Sequence, residues 1–244
     1  MTPGDAALLA GGGLLAGVVN TLAGGGSLLT VPLLVLVGLP GTLANGSNRV
    51  GVLLQSGVAV WRFRAEGVPG LPEAGRLLIP VLAGSLLGAF AIAQVDAATF
   101  ERLFGFLMLL LLFPTLRSAR SRPTAKPWPP AVRHAVFFAI GLYGGALQAG
   151  VGLVLVAALS HAGFDLVRAN SIKLVVILAL TAVAVPVFVL KGQVAWAPAA
   201  ALGVGFAAGG ELGARLALRG GERLIRPVLL VAVLALAGRM LGLY

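Results

Sequence analysis

The sequence has no cysteine and few charged residues. Without cysteine, disulfides, thiol nucleophiles and cysteine-ligated metal sites are excluded. Charged residues make up only 11% of the 244 residues, whereas hydrophobic residues make up 59%. A typical soluble domain carries about 25% charged residues, so this chain has too little polar surface to face water. The composition excludes a soluble single-domain protein and leaves an all-α polytopic membrane protein.

Acidic residues and histidines are especially scarce. The 18 Lys and Arg outnumber the 8 Asp and Glu, which gives a formal net charge of +10. The basic residues lie between apolar runs, where they set membrane topology, so nucleic acid is excluded as a partner. The two histidines have no clustered carboxylates around them, which predicts no metal site. No catalytic constellation or cofactor motif is recognised, so an enzyme is not expected.

Ten apolar segments form two groups of five. Most approach the ~20 residues that a membrane span needs, and their continuous apolar character argues against strands. The second segment of each group has only 11 residues, about 16 Å of helix, and cannot cross a ~30 Å hydrocarbon core alone. A polar, proline-rich stretch predicts a first half over residues 1–116, a cytoplasmic linker over 117–133 and a second half over 134–244. The segments are 6–23, 27–37, 42–61, 75–94, 98–116, 132–148, 152–162, 167–190, 194–218 and 224–243.

The two halves repeat each other. Shifting the sequence by 125 residues aligns residues 22–50 with residues 147–175 without a gap, and nine of the 29 positions are identical. About three identities are expected by chance in a chain so rich in Leu, Ala, Gly and Val. An internal repeat is therefore predicted. The identical pairs are Leu22/Leu147, Gly25/Gly150, Leu28/Leu153, Val31/Val156, Leu34/Leu159, Gly38/Gly163, Ala44/Ala169, Asn45/Asn170 and Val50/Val175.

The basic residues predict how the repeats are oriented. With five membrane-entering segments in each half, 13 basic residues fall on one side and three on the other. The richer side is expected to be cytoplasmic, with both termini outside. Because five is odd, the halves are predicted to be inverted repeats in a multi-pass protein of the cytoplasmic (inner) membrane. Whether each short second segment is re-entrant or crosses stays open.

Glycine-rich breaks precede the short second segment of each half. They comprise Gly24, Gly25, Gly26 and Ser27 in the first half and Gly150 and Gly152 in the second, with Gln148 beside them. Interrupted segments at matching positions of inverted repeats indicate a transporter site near the membrane midplane. A helix that begins at such a break presents free N–H groups and a partial positive charge, which favours an anion. The alternative is helix packing, which is the role expected of Gly84, Gly88, Gly209 and Gly213.

A second pair of polar patches lies inside the third segment of each half. The first contains Asn45, Asn48 and Arg49, and the second contains Asn170, Ser171 and Lys173. Cations inside a membrane are costly and indicate a substrate site. Both cations lie about 10 Å inside their segments, so the alternative is that they extend to an interface. Glu211 is the carboxylate within a span, and either couples protons or forms an i, i+4 ion pair with Arg215.

These motifs resemble the TauE/SafE sulfite exporter family of membrane permeases. The resemblance rests on AGGGSLLTVPLLVLVGLPGTLANGSNRVG, its echo GALQAGVGLVLVAALSHAGFDLVRANSIK, and FVLKGQVAW at residues 188–196. It runs from about residue 8 to about residue 243. It implies two repeated halves that move small sulfur-containing anions such as sulfite, thiosulfate or organosulfonates. It also implies that Gly25, Asn45, Gly150, Asn170 and Lys173 belong to the family's repeated motifs.

The expected function is a secondary transporter that moves such an anion by alternating access. The expected partners are a small anionic substrate and the lipid bilayer, without a cofactor, and a homo-oligomer is consistent with the sequence. An anion channel is the nearest alternative. A non-transport membrane interaction or assembly protein is another, and it predicts that Arg49 and Lys173 can be neutralised without effect.

Overall fold

The computed structural model describes residues 1–116 and 128–219, which form an all-helical fold as predicted. These residues contain nine α-helices and no strand. Most of the predicted linker and the tenth apolar segment, 224–243, lie outside the described residues. The helices are α1 Pro3–Leu22, α2 Ser27–Leu36, α3 Gly41–Ala65, α4 Leu71–Ile92, α5 Ala97–Leu116, α6 Pro130–Ala146, α7 Val151–His161, α8 Leu166–Leu190 and α9 Trp196–Leu218.

The order of long and short helices is the same before and after the linker. Helices α1 to α4 have 20, 10, 25 and 22 residues, and helices α6 to α9 have 17, 11, 25 and 23. Helices α1, α4 and α8 are long and apolar enough to cross a membrane. Helix α3 exceeds the necessary length but carries the buried polar side chains of Asn45, Asn48, Arg49 and Gln55. These polar side chains face other helices rather than lipid. They lower the mean hydropathy of α3 although the helix is long enough to cross a membrane.

Glycines bring the first helix of each group against the fourth helix of the other. A Cβ on Gly17 of α1 would collide with Phe206 and Gly209 of α9, and one on Gly213 of α9 would collide with Thr21 and Val18 of α1. The residue numbers rise together, so α1 and α9 run in the same direction. Small residues allow such close backbone approach.

Helix α4 packs against α6 in the same way. A Cβ on Gly84 would collide with the Phe138 carbonyl, and one on Gly88 with the Leu142 carbonyl. The residue numbers again rise together, so α4 and α6 also run in the same direction. The packing role predicted for Gly84, Gly88, Gly209 and Gly213 is confirmed.

The two long third helices, α3 and α8, cross the centre in opposite directions. Gly46 of α3 lies beside Phe188 of α8, whereas Gly57 lies beside Leu178. Helix α3 runs in the same direction as α9, because Gly51 lies against Phe206 and Gln55 lies against Gly210.

Helix α2 folds back along α1. Gly12, early in α1, lies against Leu33 near the end of α2, whereas Gly26, at the start of α2, lies against Ala16 and Asn20. Residues later in α1 therefore contact residues earlier in α2. The pair forms an antiparallel hairpin whose tip is the glycine-rich break.

Candidate functional site

The two glycine-rich breaks lie directly against each other. A Cβ on Gly24 would collide with the backbone of Gly152 and Leu153, and a Cβ on Gly152 would collide with Gly24. Gly24 and Gly150 also adopt left-handed backbone conformations, with φ of 86° and 67°, which glycine tolerates best. The backbones of the two breaks can therefore meet only because Gly24 and Gly152 lack side chains.

The helices that begin at the breaks are not capped by side chains. Gly26 precedes α2 and Gly150 precedes α7, and neither accepts a first-turn N–H through a side chain. The N-terminus of a helix carries roughly +0.5 of an elementary charge. Two such positive ends therefore converge where Gly24 meets Gly152.

Arg49 of α3 binds the carboxyl end of α6. Its side chain is fully buried. Its guanidinium donates to the carbonyl oxygens of Gly144, Gly145 and Ala146 at 3.0, 2.6 and 2.9 Å, and to Gln148 Oε1 at 2.9 Å. The last carbonyls of a helix are left without intrahelical donors, so Arg49 supplies them.

Lys173 of α8 does the same for α1. It is also fully buried, and its Nζ donates to the carbonyl oxygens of Asn20 at 3.1 Å and Thr21 at 2.8 Å. The 125-residue register relates Asn20 to Gly145 and Thr21 to Ala146, so the two cations bind equivalent carbonyls. Each third helix thus caps the first helix of the opposite group, and we call this arrangement the reciprocal caps. Full burial argues against extension of either side chain to an interface.

The charges at the breaks do not cancel. Each cation contributes one full positive charge, against roughly −0.5 for the carboxyl end that it caps and roughly +0.5 for the uncapped amino end beside it. The sum is about +2 for the two breaks together. In a low-dielectric interior such a surplus attracts an anion strongly.

Asn48 joins α3 to the first turn of α2. Its amide donates to Ser27 Oγ at 3.0 Å and accepts from the Thr30 hydroxyl. Ser27 and Asn48 therefore bind each other beside the first break, whereas the sequence placed Ser27 in the break and Asn48 in a separate polar patch of the third segment. Gly25 is buried at the same break.

Asn45 and Asn170, which are equivalent in the two repeats, each have a buried side-chain oxygen without a hydrogen-bond partner in the described ranges. Asn45 donates to the Ala146 carbonyl at 3.1 Å, which is also bound by Arg49. The Oδ1 atoms of Asn45 and Asn170 are both buried, and neither has a hydrogen-bond partner among residues 1–116 and 128–219. Ser171 lies elsewhere, because its hydroxyl donates to the Val68 carbonyl in the loop after α3.

Two buried polar residues, Gln55 and Thr181, were missed in the sequence. Gln148 binds Thr181 at 3.1 Å, while Gln55 accepts from Asn20 at 2.6 Å and donates to Thr21 at 2.7 Å. Both lie in otherwise largely apolar stretches. The repeat register places Thr181 opposite Ser56, next to Gln55, and this coincidence was the available signal.

Glu211 lies among arginines rather than among the amides of the breaks. It accepts from Arg215 Nε at 2.8 Å and lies 3.5 Å from Arg62 Nη1 of α3. The i, i+4 pair with Arg215 is therefore present, and Arg62 extends it to a second helix. Its other oxygen is buried without a partner in the part of the chain that the structure describes.

The chain matches a family of membrane permeases and several probable membrane transporters over almost its whole length. The profile of the family Sulfite exporter TauE/SafE matches residues 9–240. A "Probable membrane transporter protein" of Haemophilus influenzae is 27% identical over 234 residues, covering 93% of this chain and 91% of that relative. The "Probable membrane transporter protein ORF9" of Sinorhizobium sp is 26% identical and covers 93% and 89%. The "Probable membrane transporter protein YfcA" of Escherichia coli K12 is 27% identical and covers 93% and 86%. No solved structure matches the chain.

Proposed function

Because the chain belongs to the sulfite exporter TauE/SafE family, we propose that it is a secondary transporter of a small sulfur-containing oxyanion. Sulfite, thiosulfate and organosulfonates are the candidate substrates. The proposed location is the cytoplasmic membrane, which the chain crosses several times. The relatives' names support membrane transport, and the positive surplus at the breaks supports an anion.

The proposed architecture is a pair of inverted repeats, residues 1–116 and 134–244, joined by a cytoplasmic linker. Helix directions support it. Helix α4 runs in the same direction as α8, because Gly70 lies against Ser171 and Ser85 donates to the Leu180 carbonyl. Helices α1, α3 and α9 therefore share one direction, and α4, α6 and α8 share the other. Each of these helices in the first half opposes its counterpart in the second. The hairpins α1–α2 and α6–α7 are then re-entrant, entering from opposite sides and meeting at their tips.

The proposed substrate site is the meeting point of the two breaks. The observation that carries it is the contact between Gly24 and Gly152, where uncapped helix ends converge between two buried cations. Backbone contact closes this point to an anion, so the hairpins separate when the substrate binds. The substrate-binding residues proposed here are Gly24, Gly25, Gly26, Ser27, Asn45, Asn48, Arg49, Gln148, Gly150, Gly152, Asn170 and Lys173. Ser171, which the sequence grouped with them, is left out because it bonds the loop after α3.

The reciprocal caps support alternating access. Arg49 and Lys173 each tie a third helix to the hairpin of the opposite half. A rotation of one half against the other therefore carries a hairpin with it. The hairpins enter from opposite sides, so one rotation opens the site to one side while closing it to the other.

Counterflow in proteoliposomes tests the proposal. Purified protein is reconstituted with unlabelled sulfite, thiosulfate or 2-hydroxyethanesulfonate inside, and uptake of the labelled anion is followed. A transporter gives saturable uptake that is accelerated by internal substrate. Uptake that rises linearly and ignores internal substrate would identify a channel. No uptake above protein-free vesicles with any of the three anions would favour the assembly role.

A further inference from the structure

A cavity of about 350 Å³ lies away from the breaks, where α4 and α6 begin and α7 ends. Glu73 and Arg76 line it from the first turns of α4, Arg133 and Phe137 from α6, and Phe164 from the loop after α7. Its volume falls at the lower end of the range for small-molecule sites, about 300 to 1,000 Å³. None of the residues proposed above to bind substrate lines it.

The cavity has an excess of positive charge. Glu73 forms an ion pair with Arg168 of α8, whose Nε donates to Glu73 Oε1 at 3.1 Å. Glu73 also interacts electrostatically with Arg76. One carboxylate therefore faces two arginines, and Arg133 in the wall adds a further positive charge. Helices α4 and α6 also begin here without side-chain caps.

Two buried polar atoms in the wall lack partners within the described ranges. They are Nε of Arg133, a donor, and Oε2 of Glu73, an acceptor. Leaving a buried polar group unbonded costs about 1 to 3 kcal/mol. A ligand with an anionic oxygen at one end and a hydroxyl or other donor at the other end satisfies both atoms.

The rest of the wall is apolar. Trp128, Phe137 and Phe164 supply aromatic faces, and Leu77 and Leu159 supply aliphatic ones. A small inorganic oxyanion keeps its hydration and gains nothing from such walls. An organic oxyanion buries its carbon skeleton there, at about 25 cal/mol for each Å².

The α6–α7 hairpin leads from this cavity to the breaks. Phe137 precedes Gly144 by seven residues, and Leu159 follows Gly152 by seven. Seven residues of α-helix rise about 10 Å. The cavity therefore lies about 10 Å from the meeting point, on the side that the basic residues assign to the cytoplasm.

We propose that this cavity is a second anion site, in which a small organic oxyanion is held by Arg133 and Arg76 before it reaches the breaks. The proposal rests on the proposed function for its role in transport. It narrows the substrate class to an oxyanion with a short carbon skeleton that ends in a hydrogen-bond donor.

Tryptophan fluorescence can report on this cavity through Trp128, which also faces a neighbouring apolar pocket. The chain has three tryptophans, and Trp61 and Trp196 are largely exposed, at 63% and 61%. Replacing these two by phenylalanine leaves Trp128, in the cavity wall, as the reporter. Detergent-purified protein is titrated with 2-hydroxyethanesulfonate, ethanesulfonate and sulfate.

We expect saturable changes, tightest for 2-hydroxyethanesulfonate and weakest for sulfate. Arg133→Gln in this background should weaken binding about 10-fold or more. The matched control, Arg64→Gln, removes an exposed arginine that is absent from the wall and should leave the midpoint unchanged. A flat titration, or equal midpoints in Arg133→Gln and the parent, overturns the proposal.

A phospholipid headgroup offers the same oxyanion chemistry, so the titration is repeated in nanodiscs. Equal midpoints in phosphatidylcholine and phosphatidylglycerol support a soluble ligand. Loss of the signal only in phosphatidylglycerol would assign the cavity to a lipid and overturn the proposal. The titration measures binding and does not depend on transport. An absence of counterflow would therefore overturn the proposed function, whereas only the titration decides whether the cavity binds an anion.

Discussion

At the scale of single residues, Arg49 and Lys173 both cap helix ends and raise the electrostatic potential around them. Arg49 and Lys173 bind carbonyl oxygens that no intrahelical N–H reaches. The same side chains leave positive charge near the breaks. In the proposed site, structure and ligand binding therefore depend on the same two residues, and we expect a single substitution to affect both.

Lys173→Gln should weaken anion binding about 10-fold or more and lower the free energy of unfolding by about 1 to 3 kcal/mol, because a neutral amide replaces a charged donor. Arg49→Gln should behave alike, and Lys173→Arg should retain most of both properties. Anion affinity and melting temperature are measured together, with exposed Lys191→Gln as the control. Normal affinity beside lost stability would make the cations caps alone.

Gly152→Ala tests the meeting of the breaks. Gly152 has no left-handed backbone strain, so its Cβ acts through collision with Gly24. Anion binding and counterflow should fall by more than lost folding explains. Gly75→Ala, where a Cβ meets nothing within 4 Å, should leave both unchanged. Loss of binding only in proportion to lost folding would move the site away from the breaks.

Local residue pattern predicted the parts of the candidate site but not their pairing. The glycine breaks and the two cations were identifiable because polar and glycine-rich stretches stand out in apolar sequence. Lys173 and Asn20, however, are 153 positions apart, and nothing in the local sequence around either indicates the other. The contact between Gly24 and Gly152 could not be predicted from local sequence either, because it depends on how two hairpins pack together.

At the scale of helices, the sequence located the elements well. Helix α2 begins at Ser27 as predicted, and α7 begins at Val151, one residue before the predicted start. Helix α3 continues to Ala65, four residues beyond the predicted end at 61. The sequence underestimated α3 because its last turn is polar, and Arg62 there bonds Glu66 at 2.6 Å instead of ending the helix.

Replacing glycine by alanine should lower stability at some helix contacts and leave it unchanged or raise it at others. Gly209→Ala and Gly84→Ala should lower the melting temperature, because a Cβ would strike the carbonyls of Leu14 and Phe138. Gly57→Ala meets only Leu178, at 3.9 Å. It should be neutral or stabilising by up to about 1 kcal/mol, since alanine favours helix. Thermal unfolding in detergent measures all three, and a stabilised Gly209→Ala would contradict the packing.

The Glu211 ion pairs link α9 to α3. Glu211→Gln should lower the free energy of unfolding by up to about 1 kcal/mol, the usual value for partly exposed pairs. Transport should continue, with its dependence on a pH gradient unchanged. Counterflow is compared with and without a pH gradient, beside Glu66→Gln, which breaks a pair within α3 alone. Loss of pH-gradient dependence in Glu211→Gln only would instead support proton coupling.

At the scale of the whole molecule, orientation in the membrane is the first property to test. The 13-to-3 distribution of basic residues predicts the linker inside and the loop before α5 outside. In this cysteine-free chain, Gln94→Cys should react with a membrane-impermeant thiol reagent in intact cells. Lys126→Cys should react only after the cells are opened. Labelling of Lys126→Cys from outside would refute the inverted arrangement.

The reciprocal caps also have a consequence for how the protein is made. The carbonyls of Asn20 and Thr21 leave the ribosome more than 150 residues before the Lys173 that binds them. At about 5 to 20 residues per second, the wait is about 8 to 30 seconds. Through that interval the nascent first hairpin has an uncapped tip. Its completion therefore coincides with the insertion of α8, which makes the second half of the chain the assembly partner of the first during biogenesis.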